Sequence, residues 1–126
     1  MNFPSELKYT KDHEWIRIEG NTGVIGITEY AQGELGDVVF VDINPSLSEL
    51  KSGEIFGSIE AVKTVSDLYA PCSGKVLEIN QNLNNNPDRV NTDPYGDGWM
   101  VKIEISSPSD LEGLLDSGTY AALTGN

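Results

Sequence analysis

The stretch Gly53-Glu54-Ile55-Phe56-Gly57-Ser58-Ile59-Glu60-Ala61-Val62-Lys63-Thr64-Val65-Ser66-Asp67-Leu68-Tyr69-Ala70-Pro71 constrains the fold more than any other. Two β-type runs flank Lys63, so the chain is expected to reverse there as a hairpin. With only eight Lys and Arg residues in the chain, one of them stands at the reversal. An amine held clear of the body of the fold is well placed for covalent modification, although a plain solvated lysine is the ordinary alternative. A tight loop at Lys63-Thr64 would put Val62 opposite Val65, Ala61 opposite Ser66, Glu60 opposite Asp67 and Ile59 opposite Leu68. The Ile59–Leu68 pair is apolar and suits a buried face, whereas Glu60 against Asp67 is a mild like-charge penalty. Lys63-Thr64 is poor for the positive φ of a primed turn, so another turn type or a slightly longer loop is expected.

The 126 residues suffice for one domain with a real core, spanning 1–126. Twenty acidic residues against eight basic ones give a net charge of −12. That balance argues against nucleic acid or an anionic membrane as partner and suits basic protein surfaces. Cys72 is the sole cysteine, which excludes an intrachain disulfide. It reads as a small packed thiol. His13 is the sole histidine, expected to be structural or at a rim, so zinc coordination and Cys–His catalysis have no support. The N-terminal residues lack the pattern of a signal or transit peptide. A cytoplasmic bacterial protein is the expectation, or a mitochondrial matrix one if the chain is a mature eukaryotic protein.

Strand patterns dominate. Glu14–Glu19 and Trp99–Ile105 alternate apolar and polar, the second with Trp99, Val101, Ile103 and Ile105 inward. Val38–Ile43 is nearly continuous and β-branched, which predicts a strand covered on both faces. Gly23–Ile27 and Lys75–Ile79 add two more. Helices are expected to be short and peripheral: one capped by Thr28 and closed by Gly33, one opened by Asn86-Pro87, and a capping box at Ser109–Glu112. Gly118 then separates that box from a last helix near Tyr120–Leu123. Trp15 and Trp99 are expected in the core. Many short strands at this spacing predict a mainly β, flattened barrel or sandwich with a C-terminal helical flap at about 108–124.

The motifs Gly36-Asp37-Val38-Val39, Lys51-Ser52-Gly53-Glu54, Ser58–Lys63 and Ala70–Val76 resemble the biotinyl/lipoyl carrier fold, a barrel-sandwich hybrid. Its hallmark hairpin would lie at about 53–80. Tyr9–Trp15, Gly26–Gln32, Leu35–Val41, Asn86–Trp99 and the Leu-rich C-terminus narrow the resemblance to the glycine cleavage system H protein family, in order and over nearly the whole chain. Departures are modest: Asn44-Pro45-Ser46-Leu47-Ser48 replaces the usual turn, and Cys72 stands where Val is common.

The resemblance implies a non-catalytic carrier with lipoate joined to Lys63 through an amide, an arm of about 14 Å counted over its extended bonds. Glu60 and Gly74 match positions that the family's lipoylating enzymes read. The implied partners are the PLP-dependent glycine decarboxylase, the tetrahydrofolate-dependent aminomethyltransferase and dihydrolipoamide dehydrogenase, besides the lipoylating enzyme. The arm would carry the aminomethyl group of glycine between the first two. Its ammonium would seek carboxylates in a water-excluding cleft, for which Glu14 and Asp67 are the candidates; ordinary surface acids are the alternative. No metal is implied, and a monomer is expected. Two other functions stay open: a relay that donates lipoate to other complexes, and a hydrolase pairing Glu60 with Asp67. The hydrolase lacks the desolvated cleft that such a pair needs.

Overall fold

The computed structural model describes residues 1–125. In chain order these residues form β1 (Lys8–Tyr9), β2 (Glu14–Glu19), β3 (Thr22–Ile27), α1 (Glu29–Leu35), β4 (Val38–Asp42), β5 (Glu49–Leu50), β6 (Ile55–Ala61), β7 (Val65–Tyr69), β8 (Gly74–Ile79), α2 (Asn82–Asn85), α3 (Arg89–Thr92), β9 (Val101–Ile105), a 3-10 turn at Pro108–Gly113 and α4 (Ser117–Thr124). Two antiparallel sheets result: six strands in the order β1-β2-β3-β9-β8-β5, and three in the order β4-β6-β7. They face each other as a sandwich and do not close into a barrel. Among the described residues, no helix is long and apolar enough to cross a membrane.

Alternation decides which residues meet between the sheets. Ile16, Ile25, Val101 and Ile103 from the larger sheet join Val41, Ile59 and Leu68 from the smaller one, with Leu35, Leu83 and Val90 closing the edges. The opposite face of β1–β3 is buried too. Tyr9, Trp15 and Val24 form a second cluster there with Leu7 and Tyr120, Tyr9 stacking on Tyr120 at 4.8 Å between ring centroids. The helical flap at the C-terminus thus acts as a lid over the outer face of the larger sheet. It is pinned further by Tyr9–Leu115 backbone bonds of 2.8 Å in both directions.

The hairpin forms, but its register differs from the expected one by two residues. Glu60 lies opposite Val65, Ile59 opposite Ser66, Ser58 opposite Asp67 and Gly57 opposite Leu68. Ala61 N–H donates to the Thr64 carbonyl at 2.9 Å, so the reversal centres on Val62-Lys63 rather than Lys63-Thr64. Neither residue has a positive φ. A slip of two keeps every side chain on its face, which is why Ile59 and Leu68 are still buried. Two gains favour it. Leu68 lies over Gly57, where a β-carbon would come 3.5 Å from Leu68 Cδ1. Glu60 and Asp67 no longer stand directly opposite each other.

Other expectations need correction. β4 is an edge strand, and Val39 and Phe40 are exposed, so it is not covered on both faces. Thr28 does cap α1, accepting from Ala31 N–H at 3.1 Å, but Gly33 lies within the helix and Gly36, at φ 78, ends it. The capping box at Ser109–Glu112 does not form; Asp110 instead accepts from Ser73 N–H at 3.0 Å, and the segment is a 3-10 turn. Gly118 lies inside α4, which Asp116 caps. Asn86 opens no helix: α3 starts after Asp88, and Asn86 instead closes α2, its Nδ2 donating to the Asn82 carbonyl at 3.4 Å. Trp15 is fully buried, whereas Trp99 is half-buried, precedes β9 and has Lys102 Nζ 5.9 Å from its ring centroid.

Gly74, the first residue of β8, pairs with Ile105 and Leu50 in the larger sheet. A β-carbon there would lie 2.6 Å from the Glu104 carbonyl oxygen and 2.8 Å from Ile103 Cδ1. The backbone of β9 cannot move aside cheaply, so close packing alone demands glycine here. We expect Gly74→Ala to lower unfolding free energy by about 1–3 kcal/mol, measured by urea titration. Unchanged stability would show that β9 yields freely.

Candidate functional site

Lys63 is exposed, and among the described residues it joins no ion pair; the pair present is Lys102 Nζ to Glu78 Oε1 at 3.8 Å. Its backbone is nevertheless held firmly. Val62 N–H donates to the Asp37 carbonyl at 2.9 Å, which ties the turn to the entry of β4. Asn91 of α3 clamps that entry in turn: its Oδ1 accepts from Val38 N–H at 2.8 Å, and its Nδ2 donates to the Gly36 carbonyl at 2.9 Å and to Gln32 Oε1 at 3.0 Å. The lysine stem passes over Gly36, where a β-carbon would be 3.4 Å from both Cδ and Cε. A rigid turn therefore presents a free amine alongside the C-terminus of α1.

Beside α1 opens a cavity of about 260 Å³, between the start of β2, the helix and β7. Ile27, Leu35, Ile59 and Leu68 supply apolar wall, while Asp12, Glu14, Glu34 and Asp67 supply carboxyls. The two acids singled out from the sequence thus line one cavity. They differ sharply in setting. Asp67 is exposed on edge strand β7. Glu14 is 1% exposed, accepting from Thr10 Oγ1 at 3.0 Å and from Tyr69 N–H at 2.9 Å. Burial pushes its carboxyl up to about 8; the two hydrogen bonds offset only part of this, and nearby Asp12 adds to the rise. A carboxyl raised to about 8 is mostly neutral at pH 7.

His13 also lines the cavity, held at φ 68. Its Nδ1 lies 2.8 Å from the Tyr120 hydroxyl, which lies 2.7 Å from Thr28 Oγ1. Burial lowers the imidazole's affinity for protons, against opposing pulls from Asp12 and Glu34. This network fastens α4 to the cavity rim. Tyr120, Asn91 and Thr10 went unrecognised in the sequence because their partners are set by tertiary packing. For Thr10 alone was there a signal, its spacing of four from Glu14 across a strand entry.

Of the two candidate recognition residues, Glu60 is exposed on β6, facing Phe40 and Val65 across the strands. Gly74 belongs to the other sheet. The structure brings Lys63 and Glu60 onto one hairpin and Glu14 and Asp67 into one cavity; it does not bring Gly74 into the three-stranded sheet.

A sandwich of two antiparallel sheets with an exposed lysine at a hairpin tip has the architecture of a barrel-sandwich carrier domain. Residues 7–126 match the family model described as Glycine cleavage H-protein. A glycine cleavage system H protein from Symbiobacterium thermophilum is 56% identical over 123 residues, 98% of this chain and 96% of that protein. One from Staphylococcus saprophyticus is 57% identical over 125 residues, 99% of each. The crystal structure of a glycine cleavage system H protein from Mycobacterium marinum superposes with a TM-score of 0.89 at 38% identity, covering 98% of this chain and all of that one. The chain belongs to the glycine cleavage H-protein family.

The raised Glu14 pKa has a consequence for stability. A carboxyl that titrates higher in the folded state than in the unfolded one favours folding fully below about 4.5, and that contribution is lost as pH climbs through about 8. We expect Glu14→Gln to gain stability relative to wild type between pH 5 and pH 8, by an amount on the order of a few kcal/mol, measured by denaturant titration at both pH values. A constant difference would contradict the buried, neutral carboxyl.

Proposed function

We propose that this chain is the lipoyl carrier of the glycine cleavage system, with lipoate amide-linked to Lys63 and no turnover of its own. One observation carries the proposal. An exposed amine, free of ion pairs among the described residues, stands on a rigid turn beside a cavity lined by apolar and acidic side chains. These residues suit lipoate: the amine accepts an acyl group, and the cavity offers apolar wall for a ring and carboxyls for a cationic cargo. When attached, the cofactor supplies the redox and group-carrying chemistry.

The chain's own residues supply position and protection. Asp37 and Asn91 fix the turn from which the arm swings. Ile27, Leu35, Ile59 and Leu68 exclude water from whatever enters the cavity. Glu14 and Asp67 hold the ammonium of the cargo. An arriving cation favours the carboxylate form, so Glu14 releases its proton as the cation binds. The arm reaches about 14 Å beyond the backbone, enough to serve active sites of visiting enzymes. Those enzymes are the glycine decarboxylase, the aminomethyltransferase, dihydrolipoamide dehydrogenase and the lipoylating enzyme, all in the bacterial cytoplasm.

Intact-mass measurement after incubation with a lipoylating enzyme should show one added lipoyl group on wild type and none on Lys63→Arg. The acylated protein should then support glycine–bicarbonate exchange with the decarboxylase. Acylation without exchange would instead indicate a relay that passes lipoate to other complexes. Glu14→Ala and Asp67→Ala should each shorten the lifetime of the loaded carrier about tenfold, as losing a hydrogen bond to a charged group does. Unchanged lifetimes would remove both residues from the site.

A further inference from the structure

The three-stranded sheet has an outer face that the fold leaves uncovered. Phe40, Glu60 and Val65 stand side by side across β4, β6 and β7, with Val62 beside them at the tip. Val39 is the extra residue where the β4–β6 register shifts. These apolar residues are far from buried: Val62 is 71% exposed, Val65 61%, Val39 53% and Phe40 43%. The next row on the same face is Asp42, Ser58 and Asp67, the last on edge strand β7, where it also borders the mouth of the cavity. An apolar strip, interrupted by Glu60 and bordered by Asp42 and Asp67, therefore runs down one face of the hairpin that ends at Lys63, in a chain of net charge −12.

We propose that this strip is the docking face for the enzyme that acylates Lys63, and that the enzyme meets it with an apolar contact rimmed by Lys and Arg. The proposal rests on Lys63 being the site of acylation and names the surface that delivers it. Reach selects this occupant over the others. In acylation the neutral Nζ attacks the carbonyl of an activated acyl group, the amide forms, the activating group departs and Nζ gives up a proton. The attacking atom belongs to the turn itself, so the enzyme must press against the turn. A standard interface covers about 800 Å² per partner, a disc of roughly 16 Å radius. Strands lie about 4.8 Å apart and residues rise about 3.3 Å, so Phe40, Val62 and Val65 all fall within that disc. Enzymes that act at the far end of the arm meet it about 14 Å further out, so reach alone does not bring them onto the strip. Apolar residues near the centre of such a footprint carry most of its affinity, while the acidic edge steers a basic partner.

Steady-state acylation by a purified lipoylating enzyme with ATP and lipoate, over a range of concentrations of the unmodified protein, tests this. Val65→Arg and Phe40→Ser should each raise KM about tenfold with kcat within about twofold, and raising salt should weaken wild-type docking. Leu77→Ser, at an exposed apolar position on the other sheet, should behave as wild type. Thermal melts establish that the variants fold, and the milder Val65→Thr should give an intermediate KM if Val65→Arg does not. Folded variants with unchanged kcat/KM overturn the docking face. So does normal acylation combined with impaired glycine–bicarbonate exchange, which would give the strip to the decarboxylase. Failure of the carrier reading itself looks different: Lys63→Arg would then still be acylated, or wild type would not be.

Discussion

One oxygen of a buried carboxyl links the two sheets. Glu14 belongs to β2 of the larger sheet, and its Oε2 accepts from Tyr69 N–H of β7 at 2.9 Å. β7 is an edge strand, and an edge N–H turned inward would be costly without a partner. A side chain satisfies it where a barrel would have used another strand. The sheets are thereby held together at this corner without zipping closed, and the space left between them is the cavity. The link has its own cost, since burial drives the carboxyl toward its neutral form. Thr10 offsets part of that cost from the strand entry. The feature that spaces the sheets is thus also the most chemically responsive group in the cavity.

Much of this was legible in the sequence, because period-two alternation reports which face a side chain takes. Ile59, Leu68, Val101 and Ile103 were assigned inward and are buried. The same logic explains the error at the hairpin, since a slip of two residues leaves the face pattern unchanged and so leaves no trace in it. The observed register puts Leu68 opposite Gly57, where the Asp42 carbonyl and Ile43 also crowd in, a set of contacts that needs three dimensions to be seen. Hydrophobicity misled at β4, where β-branched residues suited to a covered strand lie on an exposed edge. Local rules failed at Ser109–Glu112 for a related reason: Asp110 finds the Ser73 amide, and a capping box gives way to a tertiary bond. Glu14 and Asp67 were found through family resemblance, yet their contrast in burial was not, because it depends on which elements pack over each.

The tip of the hairpin and the cavity are not independent. α1 serves both: Leu35 lines the cavity, and the next residue, Gly36, lies under the stem of Lys63. Asn91 then bonds Gly36, Val38 and Gln32, so the helix end, the strand entry and the turn form one hydrogen-bonded unit. An arm attached at Lys63 would start from a base with little freedom, next to the wall of the cavity it must enter. Rigidity at the base leaves the flexibility in the arm, where a carrier needs it, and shortens the search for the cavity.

The charge around the cavity gives that search a direction. Asp12, Glu34 and Asp67 line it together with Glu14, and among the described residues no Lys or Arg does. A cation is drawn in, and Glu14 can ionise to meet it; a neutral group gains only the apolar contact. On the carrier reading, the arm without cargo is uncharged and is held weakly, so it remains available to enzymes outside. On the same reading, an arm bearing an ammonium would be held by these carboxylates away from water. The discrimination follows from burying one titratable carboxyl and setting exposed acids around it.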